Sequence, residues 1–117
     1  MFHVDKYLLK EYDQQRYNCW HFACEVWAEL TGNKLNPYLP VDWFANLLDQ
    51  YATDASISFS RLEQPESPCL VLLRRARVVP HVGVYYSGRI LHLGEKGASY
   101  VPLHHLTALY PKVEYYK

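Results

Sequence analysis

The spacing of apolar residues changes period once along the chain. Between Asn18 and Gly32, Cys19, Ala23, Val26, Trp27 and Leu30 recur at helical intervals. The spacing predicts an amphipathic helix from about Asn18 to Thr31. Asn18 has a side-chain oxygen suited to an N-cap, and Gly32 suits the left-handed stop. Asn33 to Pro40 reads as a loop, punctuated by Pro37 and Pro40. Phe44, Leu47, Leu48 and Tyr51 again fall at helical spacing and predict a second, shorter helix over 41–51.

Beyond that point the period becomes that of strands. Ile57 to Leu62 alternates as an exposed strand does, and Pro65-Glu66-Ser67-Pro68 is a turn. Cys69 to Leu73 is a continuous apolar run suited to a buried central strand. Arg74 to Pro80 connects it to a strand His81–Tyr86, and Ser87-Gly88 has the chemistry of a tight hairpin turn. Arg89–Leu93, Ser99–Leu103 and Val113–Tyr116 complete the series. Helices first and an antiparallel meander afterwards describe an α+β domain with helices packed on one face of a sheet.

Composition narrows this further. At 117 residues, half of them hydrophobic, the chain matches one domain, residues 1–117, with a modest core. Twelve basic residues balance twelve acidic ones, so charge points to neither nucleic acid nor an acidic membrane surface. Arg74-Arg75-Ala76-Arg77 is the one basic cluster and is expected to be a solvated loop. No apolar run is long enough for a membrane span, and no signal peptide is evident. The expected site of synthesis is the bacterial cytoplasm. Three cysteines without CxxC spacing fit neither a disulfide framework nor a zinc knuckle. No metal or other cofactor is expected.

The candidate chemistry centres on Cys19. A helix N-terminus favours an anion, so its thiol is expected to have a depressed pKa. A thiol nucleophile also needs a base, and the base an orienting partner. In a hairpin turning at Ser87-Gly88, paired residue numbers sum to about 175. His92 then faces Gly83 and lies diagonal to His81, within reach if both point to the same side. His81 as base and His92 as orienter follow from that register. Cys24 and Cys69 read as core residues, and Trp27 and Trp43 likewise. His104 and His105, taken as neighbours on a strand, point to opposite faces and read as surface residues, not a metal pair.

These residues carry a resemblance. Tyr17-Asn18-Cys19-Trp20 opening a helix, Ser67-Pro68-Cys69-Leu70-Val71-Leu72-Leu73, His81-Val82-Gly83-Val84-Tyr85, and Gly88-Arg89-Ile90-Leu91-His92 together resemble the NlpC/P60 family of papain-like cysteine hydrolases. The likeness runs from about Tyr17 to Leu103. It implies the papain-like NlpC/P60 fold, Cys19 as nucleophile, His81 as general base, His92 as the third, orienting residue, and Tyr17 near the oxyanion. Trp20 and His21 are candidates for lining the substrate; for Trp20 the alternative is a core role, and for His21 a capping or solvated one. The bulky Trp20-His21-Phe22 is expected to crowd the nucleophile.

The implied substrate is an amide bond of peptidoglycan stem peptides. The short chain and its ending Tyr110-Pro111-Lys112-Val113-Glu114-Tyr115-Tyr116 further resemble members encoded in phage tail gene clusters. That implies a place in a virion tail or phage-tail-like particle, with tail-tip proteins as partners. Two other functions remain open on the sequence: a non-catalytic tail-tip or tail-assembly protein that keeps the fold, and a secreted antibacterial amidase effector.

Overall fold

In a computed structural model the described residues are 2–37 and 60–117. The expected helix over 41–51, Trp43 within it, and residues 57–59 of the first expected strand lie outside them.

Helix α1 (Cys19–Thr31) forms as its caps dictate. Asn18 Oδ1 accepts from the N–H groups of Trp20 (3.0 Å) and His21 (3.2 Å). His21 Nδ1 in turn accepts from the Asn18 N–H at 3.3 Å, closing a reciprocal capping box in which histidine takes the place usual for Glu or Gln. Gly32 ends the helix at φ 77°, its N–H donating to the Ala28 carbonyl at 2.8 Å. One face of α1 is apolar and buried: Cys19, Phe22, Ala23, Val26 and Trp27. It packs on the two strands that carry the histidines, β3 and β4 below.

The sheet has six antiparallel strands: β1 (Arg61–Leu62), β2 (Cys69–Arg74), β3 (His81–Tyr86), β4 (Arg89–Gly94), β5 (Gly97–Val101) and β6 (Lys112–Tyr116). A short helix α2 (Leu103–Thr107) precedes β6. The spatial order is β1-β6-β2-β3-β4-β5, so β2 to β5 form the expected meander while β6 inserts between β1 and β2. The tight turn is as expected: Ser87 (φ 48°) and Gly88 (φ 89°) are both left-handed, as a two-residue type I′ hairpin turn requires. The resulting register pairs Gly83 with His92.

Alternation splits the core in two. Leu70, Leu72, Val82, Val84, Leu91 and Leu93 face α1, whereas Cys69, Val71, Leu73 and Ile90 pack with Leu106 of α2 on the other face. Two expectations are corrected here. His104 and His105 lie on α2, because Pro102 lacks the N–H that a further strand residue would donate and the chain turns into a helix after Val101; both are exposed. Arg74 is not in a solvated loop. It ends β2, and its Nε donates to the buried Glu114 at 2.6 Å, with Arg61 on the other carboxylate oxygen at 2.8 Å and the Tyr116 hydroxyl donating to that same oxygen at 3.1 Å. That buried carboxylate ties β1, β2 and β6 together. No helix of the described residues is long and apolar enough to cross a membrane.

Candidate active site

The hairpin β3–β4 builds the first half of the site. His81 opens β3, and His92 lies opposite Gly83, two residues further along that strand. His81 and Gly83 share a face by alternation, so His92 leans across the space where Gly83 has no side chain. A Cβ on Gly83 would stand 3.0 Å from His92 Cβ and 2.8 Å from Ile90 Cγ2. His81 Nε2 meets His92 Nδ1 at 2.9 Å, with the rings nearly perpendicular at 85°. The other flank of His81 stacks on Tyr110, ring centroids 5.8 Å apart and planes 16° from parallel. The guanidinium of Arg75 lies 5.8 Å above the same tyrosine ring.

The second half is the start of α1. Cys19, His81 and His92 line one cleft of about 520 Å³ at the end of the sheet where β3 begins and β4 finishes. Its remaining walls include Tyr12 and Gln14 from the segment before α1, Arg75, Val78, Val79 and Pro80 from the β2–β3 connection, and Leu106, Leu109 and Tyr110 from around α2. Tyr12 and Gln14 are held by a closed turn. Asp13 and Tyr17 exchange backbone hydrogen bonds of 2.9 and 2.8 Å, and Asp13 Oδ1 accepts from the N–H groups of Gln15 and Arg16.

Electrostatics here differ from the expectation. Cys19 is 6 % exposed, and burial pushes its thiol up to about 11. The backbone N–H groups of Val82, Trp20 and Cys19 itself act in the opposite direction and do not overcome burial. Burial, with His92 beside it, pushes His81 down to about 3, and burial also lowers His92. The resting site therefore holds a neutral thiol and neutral imidazoles at pH 7, not the thiolate that a helix N-terminus alone would favour. Burial raises the Tyr12 and Tyr110 hydroxyls, and Cys19 adds to the rise at each.

Three of the expected lining residues lie elsewhere. Tyr17 and His21 border a separate hollow of about 380 Å³, together with Cys24, Glu25 and Ala28. On a helix His21 stands roughly 200° around the axis from Cys19, so its side chain leaves the other side; it serves as the cap described above. The Tyr17 hydroxyl donates to Glu25. Trp20 is fully buried, its Nε1–H donating to the Asn36 carbonyl at 2.8 Å, and its backbone N–H bears on the sulfur. None of Trp20, His21 and Phe22 lines the cleft that holds Cys19. The tyrosines that line the cleft with Cys19 are Tyr12 and Tyr110; Tyr17 borders the other hollow. Sequence reading missed Tyr12, Arg75 and Tyr110; Asp13, a side chain that favours local turns, was a usable signal for the loop that holds Tyr12. Nothing local marks Tyr110.

Among the described residues no group of three or more His, Cys, Asp or Glu could hold a metal ion. All three cysteines are free. Scans against protein-family models, curated proteins and solved structures find no match to this chain.

Proposed function

We propose that the protein is a cysteine amidase or endopeptidase of NlpC/P60 type that cleaves peptidoglycan stem peptides, acting at the tail tip of a phage or phage-like particle. The observation that carries the reading is the gathering of Cys19, His81 and His92 in one cleft, with the two imidazoles hydrogen-bonded at 2.9 Å. Substrate class and tail location rest on the family resemblance.

With His92 Nδ1 as acceptor, His81 carries its proton on Nε2 and keeps a bare Nδ1. That nitrogen takes the Cys19 proton as Sγ attacks the amide carbonyl carbon, so charge separation arises only with bond formation. The imidazolium bonds to His92, and the oxyanion meets the N–H of Cys19 at the helix end, with the Tyr12 hydroxyl as a second donor. His81 then passes the proton to the leaving amine as the C–N bond breaks. Water, deprotonated by the same nitrogen, hydrolyses the thioester and restores the thiol.

A second reading has one observation in its favour. The near-complete burial of Cys19 suits a fold retained by a structural tail-tip or tail-assembly protein. Incubating the protein with peptidoglycan fragments, beside Cys19→Ala and His81→Ala variants, separates the two. Release of new amine by the wild type and by neither variant supports the enzyme. No release by the wild type, or equal release by Cys19→Ala, ends that reading in favour of the adaptor. A secreted antibacterial effector would share the enzymatic result and differ in the particle that carries it.

A further inference from the structure

Exposed large apolar side chains are few among the described residues, and they are not scattered. Leu8 and Leu9 belong to the N-terminal segment. The other three, Val78 (44 % exposed), Val79 (52 %) and Leu109 (56 %), all line the cleft that holds Cys19, His81 and His92. A single exposed leucine needs no explanation, but a cluster bordering a concavity marks a place where apolar surface is covered by a ligand. They come from two segments, the adjacent valines from the β2–β3 connection and the leucine from the turn after α2, so it is the fold that brings Leu109 to Val78 and Val79. Pro80, Leu93 and Leu106 continue the same wall inward. The volume, about 520 Å³, is that of a small-molecule site, not of a flat protein-docking face.

We propose that Val78, Val79 and Leu109 form an apolar subsite that receives an alkyl group of the amide substrate next to the bond attacked by Cys19. The inference rests on the reading of the cleft as a hydrolase site and adds to it a preference for amides flanked by an alkyl group. The alkyl chain displaces water from the valines and the leucine, and its amide is thereby drawn toward Cys19 and His81 at the base of the same cleft. Selectivity comes from the length of that group, because each buried methylene adds to affinity.

An unreactive probe tests this without chemistry. N-hexylacetamide and N-methylacetamide are titrated into the full chain while methyl and imidazole NMR signals are followed, in the wild type and in a Val79→Asp/Leu109→Asp variant. Both side chains are more than half exposed, so the fold tolerates the change. The expected result is that the hexyl probe shifts the Val78, Val79 and Leu109 methyls and the His81 and His92 rings. It should bind on the order of tenfold more tightly than the methyl probe, and the variant should lose that difference. Equal binding of the two probes, or hexyl shifts confined to other surfaces, overturns the proposal; the wild-type comparison decides this even if the variant fails to fold. Shifts at the subsite together with no hydrolysis of any peptidoglycan fragment would remove the hydrolase reading and leave the subsite standing.

Discussion

Gly83→Ala is the sharpest probe of how the fold makes the site. Gly83 has an ordinary strand backbone, so alanine meets no conformational penalty there and the whole effect is one of space. The added Cβ would lie 2.8 Å from Ile90 Cγ2, 3.0 Å from His92 Cβ and 3.1 Å from the Leu91 carbonyl oxygen. None of these is the free end of a flexible side chain. Comfortable contact is about 3.5–4.0 Å, so β3 and β4 must part locally by roughly 0.5–1 Å. Overpacking of this kind costs about 1–3 kcal/mol, which for a domain of this size lowers Tm by roughly 5–15 °C. The same displacement stretches the 2.9 Å His81–His92 bond to about 3.5 Å or more, past useful hydrogen-bond length. Circular-dichroism melting reads the first effect, and imidazole NMR reads the second as loss of the fixed His81 tautomer. A variant that melts within about 2 °C of wild type and keeps the tautomer would refute the close-approach argument.

Three further outcomes are expected. Iodoacetamide should label Cys19 slowly at neutral pH, with a rate that climbs toward a midpoint of about 11; a plateau reached below pH 7 would show that the helix N-terminus outweighs burial. The His81 imidazole is held neutral when folded, so between about pH 6.5 and 3 the unfolded chain binds the extra proton. Its contribution to stability is present above that window and is lost as the pH falls through it. Urea melts at pH 7 and pH 4.5 should therefore show a smaller acid loss for His81→Gln than for wild type, and equal losses would count against a buried neutral imidazole. Asn18→Ala removes the acceptor for two backbone N–H groups and should cost about 1 kcal/mol in denaturant melts, more than the same change at an exposed helix position.

What could be read from the sequence follows from where each signal resides. The ends of α1 were legible because Asn18 and Gly32 act within one turn of themselves. The Gly83–His92 register was legible because a two-residue turn at Ser87-Gly88 fixes the pairing of everything that flanks it. The Cys19 pKa was not, because burial is supplied by the core it shares with β3 and β4, which lie far along the chain. The side of the cleft was misjudged for Tyr17 and His21, since neighbours of Cys19 around the start of a helix point in different directions. Arg74 was taken for loop because its partner, Glu114, lies forty residues away.

The position of β6 bears on the order in which the molecule comes together. A chain synthesised as far as β5 holds α1 and the β2–β5 meander, and with them Cys19, His81 and His92. It still lacks Tyr110, the ring that His81 stacks on, and it lacks β6, the one partner of β1 among the described residues. The histidine hairpin is thus a product of local contacts, while its outer wall and the Arg61–Glu114–Arg74 clasp arrive with the last strand. In refolding, amide protection should appear in β3 and β4 before β1 and β6.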